Sequence, residues 1–570
     1  MSTENTANFY SENLLVHFRR IERLKEEASA CLSMDLNQRQ LCDLELLLNR
    51  AFYPLVGFMN RDDYESVLDN MRLADGTVWP MPVCLDVPES MARKLQSGEP
   101  VALRDQEGFM LAVLTVQEVW MPDLDRHARA VYGTSRPDKH PGGAKLLQEV
   151  HPWFVGGTLE GLHLPLHYDF ADLRTSPAQT HRIFTQRGWR NVAGFQTERH
   201  LHCAHREMIL RGAREAGANL FIHPVAGRAG PNDLDHFTLV RCYQEFITNF
   251  PRNMVQLGLI PLERRLAGPR QALFEAIIRR NYGCTHYMVS QDHGDPFAGD
   301  SRERFYPLGA AQELTKSLEN EIDIKMIPLQ KMVYVEDKAQ YFPVSLVESD
   351  MKIKEISSAE LKRRLEFDLE IPEWFSFPGV VQELKKAYPP RHRQGFTVFI
   401  TGLSGAGKST LAKVLYVRFM EMRERPVTLL DGDIVRKNLS SELDFTRSHR
   451  NLNVQRIGFV ASEITKNRGI AICAPIAPYE ESRSLVRDMI TPYGGFVEIF
   501  MSTPLEVCEQ RDRKGIYAKA RSGVMKGVTG IDDPYEPPGN PEITIDTTDL
   551  TPTEAAQEVF LFLEEQGYIR

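Results

Sequence analysis

The sequence predicts a multidomain α/β protein that ends in a doubly wound parallel sheet. Three observations lead there. The chain has 570 residues, room for three or four domains at roughly 100–200 residues each. After residue 395, short apolar runs alternate with amphipathic stretches. Lys385–Gln394 (KKAYPPRHRQ) is basic, contains two prolines and lacks apolar periodicity, so it reads as a linker ahead of that region.

The elements follow in order. Residues 1–172 hold short apolar runs and turns, such as Pro80–Leu85 and Gly108–Leu114, and read as a β domain. Residues 173–350 read as α/β, with strands near Asn191–Gln196, Asn219–His223 and Thr285–Val289. Residues 351–394 form a helical connector, Ser358–Leu369, and the linker. Residues 395–570 carry buried parallel strands at Phe396–Thr401, Val427–Asp431, Gly469–Pro475 and Phe496–Met501. Helices are expected between them at Lys408–Met422, Asn451–Asn467 and Pro504–Arg511, and a last one at Pro552–Glu565.

Composition bounds the function. A net charge of −9 gives no basis for nucleic-acid binding. No apolar run approaches the roughly 18 residues of a membrane helix, and the polar, acid-containing start lacks a signal-peptide layout. Eight cysteines without a CxxC pair read as reduced thiols of a cytoplasmic protein.

Gly402-Leu403-Ser404-Gly405-Ala406-Gly407-Lys408-Ser409 fits GxxxxGK[ST], between an expected strand and an expected helix. Backbone amides of such a loop cradle phosphates, and the helix N-terminus adds its dipole. Lys408 is expected to reach the β- and γ-phosphates of ATP, and the Ser409 hydroxyl to ligate Mg²⁺. The next strand ends in Asp431-Gly432-Asp433, two carboxylates at the ligand end of a parallel sheet. One can hold Mg²⁺ through water while the other orients an acceptor hydroxyl.

With Asp431–Arg436, Phe445, Arg450–Asn453, Ile476–Tyr479, Cys508–Asp512, Lys514-Gly515 and Thr529–Glu536, residues 395–570 resemble the adenosine-5′-phosphosulfate (APS) kinase family. The resemblance implies a P-loop kinase that transfers the ATP γ-phosphate to the APS 3′-hydroxyl, making 3′-phospho-APS (PAPS). It implies an ATP site of Gly402–Thr410 and Arg511, with Lys408, Asp431 and Asp433 catalytic and Asp433 activating the hydroxyl. The APS site it implies is Asp433, Arg436, Phe445, Arg450, Asn453, Ile476, Ala477, Lys514, Gly527 and Val528. Arg436 and Arg450 suit an anion clamp, Phe445 a stacking face, and Lys514 with Arg521–Asp533 a lid. Three positions depart from the family: Ile434 for asparagine, Val528 for phenylalanine, and Ala477 for a serine proposed as phosphoryl carrier. Alanine cannot carry phosphate, so transfer is expected to be direct.

Residues 30–385 resemble ATP sulfurylase through Arg39–Asn49, Pro54–Met59, Met332–Tyr334 and Ile371–Pro378. The resemblance implies a PUA-like domain followed by a nucleotidyltransferase domain. The family's two site arginines are replaced. Glu198 stands in Gln196-Thr-Glu-Arg-His-Leu-His202-Cys-Ala-His205, and Gln291 in Ser290-Gln-Asp-His293. His202 and His205 are expected on one helix face, and Arg199 on the opposite face. Relative to the family, the pocket changes by −2 at Glu198, −1 at Gln291 and +1 at Arg199, or −2 overall. One charge pair near 4 Å is worth on the order of 4 kcal/mol at an effective dielectric of about 20. A silent sulfurylase site is therefore expected. The alternatives are a working site rebuilt by Arg199 and Arg228, a metal site of His200, His202 and His205, or a scaffold or regulatory module. The expected partners are ATP and APS, with self-association into a homo-oligomer.

Overall fold

Strands β1 (Leu32–Asp35), β2 (Gly57–Phe58), β3 (Leu85–Val87), β4 (Pro100–Arg104), β5 (Met110–Trp120) and β6 (Trp153–Gly161) form the first sheet. Its order is β1-β4-β5-β6-β2, with β3 also on β6, and only β1 and β4 run parallel. Around it lie helices that the β pattern did not reveal, such as Gln38–Leu48, whose buried positions include Leu44, Leu46, Leu47 and Leu48. A helix buried nearly all round loses the amphipathic period by which helices are read.

The second sheet is wholly parallel, in the order β11-β10-β7-β8-β9, from β7 (Val192–Phe195), β8 (Asn219–Ile222), β9 (Val255–Leu257), β10 (His286–Val289) and β11 (Lys325–Pro328). The sequence located β7, β8 and β10 and missed β9 and β11 at the edges. Helix α1 (Cys203–Glu215) follows β7, and α2 (Pro269–Asn281) precedes β10 with ten of its residues buried. Strands β12 (Met332–Val335), β13 (Gln340–Pro343) and β14 (Ile353–Lys354) make a small antiparallel sheet. Two helices follow, α3 (Ser358–Glu366) and α4 (Pro378–Ala387).

The last sheet has the order β16-β17-β15-β18-β19 and is wholly parallel. Its strands are β15 (Phe396–Gly402), β16 (Val427–Asp431), β17 (Ile470–Ala474), β18 (Gly495–Met501) and β19 (Ile543–Ile545). Helices α5 (Lys408–Met422), α6 (Gly432–Leu439), α7 (Arg447–Lys466), α8 (Glu480–Ile490), α9 (Leu505–Arg511), α10 (Ile516–Arg521) and α11 (Pro552–Glu565) complete it. Every residue of β15 and β17 is buried, which explains their unbroken apolar runs. The chain leaves β15 for β16 on one side and later crosses to β18 on the other. That puts a topological switch point at the C-terminal end of β15, where ligands bind in such sheets.

This computed structural model describes residues 13–225, 235–297 and 303–570, and the side chain of Asp433 falls outside what is described. The chain divides into two units. One comprises Met1–Ile356 and Ile371–Ala387; the other comprises Ser357–Glu370 and Tyr388–Arg570. The expected connector over 351–394 is thus shared, α3 falling in the second unit and α4 in the first.

Candidate active site

The phosphate loop leaves β15 at Gly402 and enters α5 at Lys408. Gly402 has φ +141°, and a Cβ there would lie 2.7 Å from the Met501 carbonyl. Gly405 has φ +83°, and a Cβ there would lie 2.9 Å from the Cys508 carbonyl. Only glycine tolerates both the dihedrals and the approach. The loop is braced from outside. Tyr517 donates to the Ser404 carbonyl (2.8 Å), and Arg511 holds both the hydroxyl (2.8 Å) and the carbonyl (2.7 Å) of Thr547. Lys408 is buried, its Nζ donating to the Leu403 carbonyl at 2.7 Å.

A cleft of about 840 Å³ opens over the loop. Ser404, Gly405, Gly407, Lys408, Ser409, Thr410 and Arg511 line it, together with Asp431 at the end of β16. Arg436, Phe445, Arg450, Asn453, Ile476, Ala477, Lys514, Gly527 and Val528 line the same space. Residues drawn from separate motifs therefore share one cavity with the phosphate loop. Gly402, Leu403 and Ala406 lie in the loop without lining the cleft. Asp433 is at the start of α6, and its side chain lies outside the described residues.

The acceptor half of the cleft is partly prearranged. The Arg436 guanidinium lies 4.3 Å from the centroid of the Phe445 ring, a cation–π contact on an exposed aromatic face. Asn453 is buried on α7, and its Oδ1 has no hydrogen-bond partner among the described residues. A buried acceptor left open beside a cleft fits a ligand donor. Ala477 has φ +45° and is held by its carbonyl, which accepts from Arg483 (2.7 Å) and Thr401 (3.2 Å). Gly527–Asp533 is an ordered turn. The Asp532 carboxylate accepts the amides of Gly527 and Val528, each at 2.6 Å, and those amides hold its pKa below the ordinary value.

Sequence reasoning placed Tyr479 and Asp533 in motifs without giving either a role of its own, and missed Arg483. Tyr479 and Asp533 hydrogen-bond to each other, and Asp533 also pairs with Arg450 at 2.7 Å. Arg483, on α8, pairs with buried Glu498 on β18 at 3.0 Å. All three pairings join distant stretches of chain.

In the first unit, Gln196 follows β7 and donates to Glu275 on α2 (2.6 Å). Glu275 also accepts from Gln271, Tyr287 and His293, each at 2.7 Å. Burial works to raise its carboxyl, but His293 and Arg279 prevail and hold it below the usual range. Glu198 forms an ion pair with Arg264, and desolvation lifts its carboxyl to about 7 against that pull. Gln291 is exposed after β10, its carbonyl accepting the Gly309 amide (2.9 Å).

One expectation needs correction here. His202 and His205 do not share a helix face. His202 is the N-cap of α1 in extended conformation, and its amide donates to His205 Nδ1 at 3.2 Å. The rings still meet, 4.0 Å between centroids, and desolvation lowers His202 to about 2 and His205 to about 3, so both are neutral. Arg199 is exposed, and its charge lowers the pKa values of Glu198, His200 and His205. Arg228 lies outside the described residues. Among the described residues no group of three or more His, Cys, Asp or Glu is placed to hold a metal ion. No described helix is long and apolar enough to cross a membrane.

A phosphate loop at a sheet switch point, facing an arginine-lined acceptor wall, defines a P-loop phosphotransferase unit joined to a second α/β unit. Family models agree region by region: a PUA-like domain at 10–164, ATP-sulfurylase at 171–387 and adenylylsulphate kinase at 394–546. The chain is 45% identical over 553 residues to a sulfate adenylyltransferase of Mycosarcoma maydis, and 43% identical over 552 residues to one of Aspergillus oryzae. Each alignment covers 96% of both chains. A solved structure described as a hexameric APS kinase from Thiobacillus denitrificans is 41% identical, covers 98% of both chains and has a TM-score of 0.78. The chain belongs to this family of fused ATP-sulfurylase and APS kinase domains.

Proposed function

We propose that the second unit phosphorylates the 3′-hydroxyl of APS with ATP, yielding PAPS and ADP. The observation that carries this is the single cleft in which the phosphate loop faces Arg436, Phe445, Arg450 and Asn453. Lys408 and the loop amides hold the transferring phosphate, and Arg436 supplies charge for the APS anion. The Ser409 hydroxyl and Asp431 carboxylate are oxygen donors on the same cleft, a set that suits Mg²⁺. Bound there with ATP, Mg²⁺ would neutralise charge building on the phosphates. Asp433 takes the acceptor proton. Ala477, buried and without a hydroxyl, leaves direct transfer as the route.

For the first unit, the relatives named sulfate adenylyltransferase support a working sulfurylase, which makes the chain bifunctional; they do not support the silent site expected from its sequence. One observation favours the silent reading. Glu198 pairs with Arg264, so a carboxylate of the chain itself already takes up a cation that a bound anion would need. Incubating the full chain with ATP plus APS, ATP plus sulfate, and APS plus pyrophosphate decides among these. PAPS in the first tube supports the kinase, and its absence refutes it. ATP from the third, proportional to enzyme, supports the bifunctional reading, and no ATP supports the silent one. We place the enzyme in the cytoplasm as a homo-oligomer, in line with the neighbour described as hexameric. Sedimentation of the full chain tests that assembly.

A further inference from the structure

Arg450 is more tightly held than a waiting anion clamp needs to be. Its side chain is 11% exposed on α7. Nε donates to the Phe445 carbonyl at 2.8 Å, Nη1 to the Thr529 hydroxyl and to Asp533 Oδ2, and Nη2 to the Gly527 carbonyl. All but one of its N–H bonds thus go to the chain itself. The partners come from two separate stretches of chain, Phe445 just ahead of α7 and the Gly527–Asp533 turn, and Phe445, Gly527 and Thr529 all line the cleft.

Asp533 is the charge in this knot. Its carboxylate takes Arg450 at 2.7 Å and the Tyr479 hydroxyl at 3.0 and 3.1 Å. Neighbouring Asp532 works differently, closing the turn on itself through two backbone amides. Tyr479 is buried at the N-terminal end of α8, with Arg447 stacked 4.5 Å from its ring centroid. The contact therefore ties together α7, α8 and the turn.

We propose that Asp533 and Tyr479 are positioning residues of the APS site: they hold Arg450, which in turn fixes Phe445 and the Gly527–Thr529 turn at one spacing. The inference rests on the kinase reading and deepens it. The ATP side of the cleft is braced by different contacts, Tyr517 on the loop and Arg511 on Thr547. Loosening Asp533 should therefore act on APS and spare ATP.

The test uses the full chain carrying Asp533→Asn, which keeps shape and loses charge, and Tyr479→Phe, which keeps the ring. Asp533→Asn should raise KM for APS about tenfold or more, as expected when a charge-assisted contact is lost. Binding of an ATP analogue should stay within about twofold, and Tyr479→Phe should shift KM in the same direction by a smaller factor. An unchanged or lowered KM for APS in Asp533→Asn overturns the proposal. So does a fall in nucleotide affinity in step with APS. If Asp533→Asn fails to fold, by circular dichroism and an ATP-induced rise in melting temperature, Tyr479→Phe alone decides in the same terms. Calorimetric binding of APS in the presence of ADP separates the two readings. Wild-type binding without phosphate transfer refutes the kinase and leaves the positioning effect readable in Kd; no binding of APS by the wild type refutes both.

Discussion

Lys408 begins α5 with its ammonium folded onto the Leu403 carbonyl, buried and within the cleft. A buried ammonium in a phosphate loop serves the transferring phosphoryl group as a point charge. Lys408→Ala should lower PAPS formation by on the order of 10²–10³-fold, the size expected for one preorganised charge or donor. Circular dichroism should be unchanged, because Tyr517 on the Ser404 carbonyl and the glycine backbone still hold the loop when the lysine contact to Leu403 is lost. Turnover near wild type in a folded variant would remove the kinase assignment. Glu198 is tested as directly. Glu198→Gln removes a negative charge beside Arg264 and should strengthen binding of a sulfate analogue to the first unit, measured by calorimetry; weaker binding would mean that the pair itself shapes the site.

Helix α8 hangs on one buried cation. Arg483 is 1% exposed and binds the Ala477 carbonyl, the Glu536 carbonyl (2.7 Å) and the Glu498 carboxylate. Burial raises Glu498 against the pull of Arg487 and Arg483. Arg483→Met strands a buried carboxylate and should cost about 3–5 kcal/mol, towards the low end because Arg487 also reaches Glu498. Urea unfolding of the second unit measures it; a loss under about 1 kcal/mol would mean water replaces the arginine. None of this was legible in the sequence, and the reason is separation. The phosphate loop is contiguous, so spacing alone located it, and fully buried strands announced themselves as apolar runs. Arg450 and Asp533 lie 83 residues apart, and no local pattern joins them. For His202 and His205, spacing gave proximity but not the cap geometry, because helix ends are set by backbone capping rather than by periodicity. Helices Gly432–Leu439, Glu480–Ile490 and Ile516–Arg521 were also missed, two of them being under nine residues long.

At the scale of the molecule, histidines are distributed unevenly. The second unit contains only His392 and His449. In the first, burial holds His127 and His205 near 3, His140 and His200 near 4, His202 near 2 and His223 well below the ordinary 6.5. A depressed histidine favours the folded state fully above its unfolded pKa and loses that contribution as pH falls below about 6.5. Glu198 runs the other way, its contribution being present at low pH and lost as pH rises through about 7. Six histidines outweigh one carboxylate, so acid should weaken the first unit selectively. Each unit has its own apolar core. Calorimetry from pH 7 to 5 should show one transition falling by several degrees and a second, the one ADP raises, moving little. Parallel loss of both would contradict this. The interleaved path of the chain reaches further. It passes between units three times, at Ile356–Ser357, Glu370–Ile371 and Ala387–Tyr388. A single protease nick after residue 390 would release a fragment without α3 and leave α3 stranded on the other piece. For the same reason a recombination event that moved the kinase half into another gene would have to begin before Ser357, and would carry α4 of the sulfurylase half with it.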